Sequence, residues 1–399
     1  MAWAGPYATR LLADMGAEVI KIESVDNWDV LRALTGQPPE TERGWDKSPY
    51  FNQTNRNKYG CSLDLSKPDG RELFLRLAAQ SDVVIENFRA EVMDILNLGY
   101  DVLSAVNDRL IVLSMPGHGK TGPEHDFVTY GTNVEQLSGL CHLTGYKDGP
   151  PHKTGISYGD PIAGIAAAGA IALALWVRRR TGHGQYIELA QRETLISLIG
   201  EYIVAFSMNQ REPSRQGNRH SSMSPHGCYR CSGGDEWITI ACENDAQFAA
   251  LCSALEQPGI ARDPRFADVV SRYRNQDELD ETICAWTKDR TKEDAAEALQ
   301  SAGVPAMPVL GVPEVFADEH LRARGFFEPV SHPIAGVWDV DGPPWRMSES
   351  PAHIRLPAPT FAEHNRYVFG GLLGLSDEEI AKLEVEGITG SAPNRTVHE

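Results

Sequence analysis

The sequence predicts an α/β protein: a doubly wound, mostly parallel sheet, followed by a smaller α+β unit. Three observations lead there. Short Val- and Ile-rich runs alternate with amphipathic stretches as far as residue 190. The pattern changes near residue 210, where a polar, turn-rich stretch precedes a different mix of elements. The chain has 399 residues, 42% hydrophobic and 23% charged, which is enough for two domains.

Residues 7–15 read as a helix and EVIKIE at 18–23 as a strand. CSLDL at 61–65 reads as a short strand. PDGRELFLRLAAQ at 68–80 is an amphipathic helix that opens with proline, where a missing N–H costs nothing. A strand at 82–87, helices around 91–97 and 101–107, and the strand LIVLSM at 110–115 follow. A helix at 161–180 and the strand YIELA at 186–190 continue the alternation. The segment 211–227 is a linker or functional loop. Beyond it, WITIAC at 237–242 and PAMPVL at 305–310 bracket helices at 245–256, 275–286 and 292–301. A surface helix at 376–387 has serine to cap it, an acidic first turn and a terminal glycine.

A net charge of −18 argues against nucleic acid as a partner. Any anionic ligand then needs a local group of cations or backbone amides. Seven cysteines are scattered, and Cys228 and Cys231 form the one close pair, so neither zinc nor a disulfide framework is expected. A reducing, cytoplasmic setting follows. No cleavable signal is read at the start. The longest apolar run, 162–177, ends at Arg178, Arg179 and Arg180. A membrane span needs roughly 20 residues, so the run is expected to be a buried helix and no membrane partner is expected.

Gly117-His118-Gly119-Lys120-Thr121-Gly122 fits the spacing of a dinucleotide fingerprint and ends like a phosphate loop. Both motifs need more than glycines. A helix must follow to hold phosphate at its N-terminus. Gly122-Pro123 is turn chemistry, and Glu124 and Asp126 repel phosphate. The phosphate-loop pattern needs glycine where Ser114 stands. The stretch reads instead as a loop at the carboxyl end of a strand, where open sheets place their ligands.

Asp160 precedes Pro161 and a helix of mostly tiny residues. A structural role accounts for this: aspartate is a preferred N-cap and proline a preferred first helical residue. A functional role adds that the helix dipole keeps the carboxylate ionised while Gly159 clears space beside it. Such a carboxylate can act as a nucleophile toward an acyl group.

These residues, with GPYATRLLADMGAEVIKIE at 5–23, ENFR at 86–89, TGISYGDPIAG at 154–164, TGHGQYIELA at 181–190, GNRHSSMSPHG at 217–227 and EHNRYVFGGLLGLSDEEI at 363–380, resemble the class III CoA-transferases. The likeness runs over nearly the whole chain. It implies a Rossmann-like CoA-binding domain at 1–200 continued by 330–399, a linker and active-site loop at 201–235, and a small α+β domain at 236–329. It implies an interlocked dimer, acyl-CoA and a carboxylic acid as substrates, coenzyme A as substrate, and no permanent cofactor or metal. Asp160 occupies the nucleophile's place. Leu63, Asn87 and Phe88 are implied at the CoA site, with Arg32 and Arg89 against its phosphates. Gly117, Gly119, Tyr130, Gly159, His226 and Gly227 are implied around the substrate and its oxyanion.

The chain departs from the pattern of formyl-CoA transferases in several places. Trp3 stands where a glutamine is common, Ser24 for an arginine, Ile95 for a cation, and Thr129 and Gly131 for a lysine and a tyrosine. The neutral replacements point to a bulkier or less polar acid than oxalate. Racemases of acyl-CoA α-carbons share the fold and need a histidine; its place is Tyr130, with His118 and His125 out of register. The early helix, with no strand before it, leaves two alternatives open: a trimmed start, or a chain working beside a related subunit, which includes a partner that only binds CoA.

Overall fold

In the computed structural model of the protein, residues 1–34 and 41–394 are described. They divide into two compact units, 1–141 with 153–211 and 322–399, and 142–152 with 212–321. Relative to the boundaries read from sequence, the excursion 142–152 leaves the large part, and 201–211 and 322–329 join it.

The first unit opens with α1 (Ala4–Asp14), β1 (Val19–Glu23), α2 (Pro49–Asn55) and β2 (Lys58–Ser62). β1 and β2 pair in parallel, with Val19 opposite Lys58 and Glu23 opposite Ser62. β2 begins three residues before the expected strand. Its first residue, Lys58, is buried, and its Nζ donates to the carbonyls of Pro6 (2.8 Å) and Thr54 (3.0 Å) and to Asn55 Oδ1 (2.9 Å). A lysine at that place hid the strand's start. Then come α3 (Pro68–Ala78), β3 (Val83–Glu86), α4 (Val92–Ile95), α5 (Tyr100–Val106) and β4 (Ile111–Ser114). They are followed by α6 (Gly131–Leu137), α7 (Leu140–Leu143), α8 (Gly159–Thr181), β5 (Gln185–Glu188), α9 (Gln191–Ile196) and α10 (Gly200–Asn209).

Strands β3, β4 and β5 lie side by side, all parallel, and the register brings Glu86, Ser114 and Glu188 level at their carboxyl ends. Alternation sends neighbouring residues to opposite faces. Leu113 joins Ala4, Ala8, Ala163, Ala167 and Ile171 of α1 and α8 on one face. Val112 joins Ala78, Met93 and Leu103 on the other. Helices therefore cover both faces, as a parallel sheet requires. The stripe Gly159, Ala163, Gly164, Ala167, Ile171 and Ala174 is the buried side of α8. The expectation of a buried helix is corrected: one stripe is buried, while Ile165, Leu173 and Trp176 are exposed. By length and composition α8 is apolar enough to cross a membrane.

The second unit holds β6 (His226–Arg230), β7 (Trp237–Ala241), α11 (Asp245–Ala254), α12 (Val269–Arg274), α13 (Gln276–Thr287), α14 (Lys292–Ser301), β8 (Ala306–Pro308), α15 (Val312–Ala317) and the start of α16 (Glu319–Ala323). Its three strands are antiparallel in the order β6, β7, β8. One apolar core joins Ile238 and Ile240 of β7 to Phe248, Leu251, Ile283 and Leu299 of the helices. The chain then returns to the first unit with the hairpin of β9 (Phe327–His332) and β10 (Gly336–Asp341) and ends in α17 (Asp377–Val385). Ser376 and Glu379 form the capping box of α17.

Candidate active site

Asp160 is the second residue of α8, not its cap; Tyr158 holds that position and makes no side-chain bond to the first turn. The N-cap reading is corrected accordingly. The carboxylate lies in a tight frame. A Cβ on Gly131, the first residue of α6, would overlap Asp160 Oδ2. A Cβ on Gly159 would stand 3.1 Å from Leu195 Cδ1 and 3.2 Å from the Gly131 carbonyl. A side chain at Gly131 would displace the Asp160 carboxylate, and one at Gly159 would crowd Leu195 and the Gly131 carbonyl. On the far side, Gly164 lets α1 approach: a Cβ at 164 would stand 2.9 Å from the Ala4 carbonyl and 3.2 Å from the Ala8 nitrogen.

The backbone N–H of Ala4 faces the Asp160 carboxylate and favours its charged form. Burial pushes the Asp160 carboxyl up to about 6, with the Ala4 amide acting in the opposite direction. The helix dipole does not prevail here; desolvation outweighs it. Tyr50, on α2, is pushed up to about 12 by burial and by the charge of Asp160. Its phenol thus stays protonated near the carboxylate. The indole of Trp3 packs edge-on against Tyr50, with ring centroids 5.2 Å apart, and its Nε1 is buried without a hydrogen-bond partner. A carboxylate with a backbone amide and a neutral phenol beside it, and an unspent indole N–H on the residue packed against that phenol, suits a group that attacks a carbonyl and must then release it.

Other residues singled out in the sequence fall in several places. Asn87 packs over Gly5, at the start of α1, and its Nδ2 donates to the Met1 carbonyl at 2.8 Å. Phe88 follows at the end of β3, with its N–H on Glu86 Oε2 (2.6 Å), and Arg89 beside it is exposed. Arg32 is corrected: it is 0% exposed, paired to Glu23 at 2.9 Å and Asp46 at 2.8 Å, and stacked 3.6 Å over the Phe51 ring. A guanidinium so engaged has nothing to offer a phosphate. Leu63 is equally enclosed, packed with Leu73, Leu77 and Phe369.

Gly117 and Gly119 follow β4, and no helix forms before Gly131. Gly117 abuts Thr129, and Gly119, at φ +87°, abuts Glu188 Oε1. Glu188 also accepts the Lys120 N–H at 2.7 Å. A carboxylate in that position makes the loop a poor cradle for an oxyanion, and Ala4 N–H is the better-placed donor. Tyr130 caps α6 and is 70% exposed. His226 and Gly227 open β6 in the second unit; His226 Nδ1 meets the Asn218 carbonyl at 2.6 Å and its ring lies 5.4 Å from that of His220. Sequence reasoning missed Ala4 and Tyr50 as site residues, and met Gly131 only as a neutral replacement in the substrate pocket.

The CoA-transferase family III model matches residues 1–365 of this chain. The chain belongs to CoA-transferase family III. It is 33% identical over 391 residues to the succinyl-CoA–D-citramalate CoA-transferase of Chloroflexus aurantiacus, covering 96% of this chain and 94% of the relative. It is 35% identical over 370 residues to the succinate–glutarate CoA-transferase of Agrobacterium fabrum, covering 92% of each. Among solved structures, a CaiB/BaiF family protein from Brucella suis superimposes with a TM-score of 0.83 at 33% identity, over 93% of this chain and 96% of that one. The protein is a CoA-transferase with a mixed α/β fold, and CoA thioesters are its substrates.

Proposed function

We propose that the protein moves CoA from a dicarboxylic acyl-CoA, succinyl-CoA in the first instance, to a second free dicarboxylic acid through covalent intermediates on Asp160. Asp160 attacks the thioester carbonyl, and the tetrahedral adduct expels CoA thiolate to leave a mixed anhydride between Asp160 and the donor acid. The thiolate then attacks the aspartyl carbonyl, which frees the donor acid as its carboxylate and leaves an aspartyl-CoA thioester. The acceptor carboxylate attacks that thioester to form a second anhydride and thiolate. Attack of thiolate on the acceptor's acyl carbon releases the new acyl-CoA and regenerates Asp160. Every intermediate stays activated, so thioester energy is conserved, provided water is kept away.

The observation that carries this reading is the Asp160 carboxylate itself, boxed by Gly131 and Gly159 and served by the Ala4 N–H. The substrates named for the two relatives support the acid class. Asn87, Phe88 and Arg89, at the carboxyl end of β3, are assigned to the CoA arm. No resident cofactor or metal takes part, and the enzyme works in the cytoplasm. It acts as a homodimer: α10 buries no residue and exposes Tyr202, Ile203, Val204, Phe206 and Met208, a face that a second copy covers. A mixed assembly with a related subunit is the alternative outcome of the same sizing experiment.

The test is a panel of acyl-CoA donors against carboxylate acceptors, with hydroxylamine or borohydride trapping. Transfer between dicarboxylates and an adduct at Asp160 are expected. Exchange of the substrate α-proton with deuterated solvent, without transfer, would replace this reading with racemisation.

A further inference from the structure

The helix that carries Asp160 starts without a cap of its own. Tyr158 makes no capping bond, and the third helical residue is Pro161, whose side chain has no acceptor. In a capping box, an acidic side chain at that third position reaches back to the N–H of the cap residue. Here the reach comes from a different helix. Glu135, on α6, is 0% exposed, and its Oε2 accepts the Tyr158 N–H at 3.1 Å. Its Oε1 accepts the Thr154 N–H at 2.8 Å, and the Cys141 thiol stands 3.7 Å from the same oxygen. Burial, with the Glu135 charge next in weight, pushes that thiol's pKa up.

Helix α6 therefore touches the start of α8 twice. Gly131 bears on the Asp160 carboxylate, and one turn later Glu135 grips the segment that leads into it. A buried carboxylate is a costly acceptor, and removing it would strand two N–H groups away from water. The arrangement has a chemical use. Aspartate near a helix start tends to fold back on the first-turn amides. A carboxylate spent in that way attacks nothing.

We propose that Glu135 is a positioning residue for acyl transfer: it caps the nucleophile's helix from outside and leaves Asp160 free to face the thioester. This rests on Asp160 being the nucleophile. The test is steady-state kinetics, hydroxylamine trapping and thermal unfolding on the full chain, for wild type, Glu135→Gln, Glu135→Ala and Asp160→Asn. Glutamine keeps the shape and one acceptor oxygen but turns an NH2 toward the other N–H. The kcat of Glu135→Gln falls about tenfold and that of Glu135→Ala about a hundredfold, the range that one or two charge-assisted bonds supply. KM for the acyl-CoA stays within about threefold, and trapping slows in the same order as kcat. A wild-type kcat in Glu135→Gln overturns the proposal. So does a loss accounted for wholly by the unfolded fraction. In the wild type, the Thr154 and Tyr158 amides exchange slowly with solvent; exchange at the rate of an open loop also overturns it. Turnover that survives in Asp160→Asn removes the nucleophile reading and this proposal together. A dead Asp160→Asn beside a fully active Glu135→Gln removes this proposal alone.

Discussion

The two units bury charge in opposite ways. In the second unit, the enclosed cations reach outward: Arg272 (side chain 1% exposed) pairs with Asp245 (72%), and Lys292 pairs with Glu236 and Glu314, both of which meet solvent. The first unit also holds pairs in which both members are enclosed. Arg32 with Glu23 and Asp46, Arg56 with Asp14, and Lys21 with Asp29 all lie within the fold. Apolar packing holds the second unit around one core. The first unit has several smaller cores, and ion pairs lock the segments between them. Fully buried pairs gain little net stability, because desolvation consumes most of their attraction. What they fix is geometry. Here they fix α1 and α2, which supply Trp3, Ala4 and Tyr50 to the site.

Asp160 sharpens the contrast. Burial raises Glu23 too, but Arg32 and Lys21 outweigh it, so Glu23 ends below the usual carboxylate range. Asp160 ends above it, at about 6. The largest expected effect is therefore at the carboxylate kept without an arginine or lysine partner. Asp160→Asn lowers kcat at least about a thousandfold, a loss in keeping with removal of a catalytic unit. In the wild type, kcat/KM falls on acidification with a midpoint of about 6, because the attacking form is the ionised one. A pH-independent kcat/KM between 5 and 8 would break the assignment.

The same substitution stabilises the fold. A carboxyl whose folded pKa lies above its unfolded value binds more protons in the native state, so its ionisation opposes folding as pH rises from about 4 to about 6. The shift from 3.8 to about 6 caps the effect at about 3 kcal/mol. Denaturant unfolding of Asp160→Asn should show a gain of about 2 kcal/mol above pH 6 and none below about pH 4. Glu23 has the opposite sign, since its folded pKa is depressed, and its contribution is lost as pH falls.

Arg32→Met tests the enclosed pairs directly. It takes the buried guanidinium from Glu23 and from Asp46, leaving them only Lys21 and the half-exposed Arg43, and should cost about 4 kcal/mol. In the second unit, Arg272→Met leaves a solvated Asp245 and should cost about 2 kcal/mol, mostly from the Ser224 and Phe266 carbonyls that lose a donor. Equal losses from the two would erase the distinction. The smallest effect lies at the exposed end of the fold, where Ser376→Ala removes the cap of α17 and should cost about 1 kcal/mol by the same measurement.

Much of this architecture was legible in the sequence. Strands β1 to β5 and helices α1, α3, α4, α5 and α8 follow from hydrophobic period, whereas the short helices α2, α6 and α7 were not read, and Asp160 stood out by its setting between Gly159 and Pro161. What stayed hidden depends on burial. Arg32 and Lys58 look like solvated cations because isolated charges usually are. Nothing local to Glu135 says that its carboxylate reaches a segment nineteen residues onward. Tyr50 and Ala4 meet Asp160 only through the packing of α1 and α2. Helix α10 falls where a linker and active-site loop were expected from residue 201 onward, and the chain by itself leaves it uncovered.

The close pass at Gly164 has a mechanical consequence. Without a side chain there, α1 and α8 form one stiff plank, and the distance from donor to nucleophile is set by contact between two backbones. Even a methyl group at 164 would act as a crowbar, prying the Ala4 amide from the carboxylate it serves while leaving every reacting atom chemically unchanged.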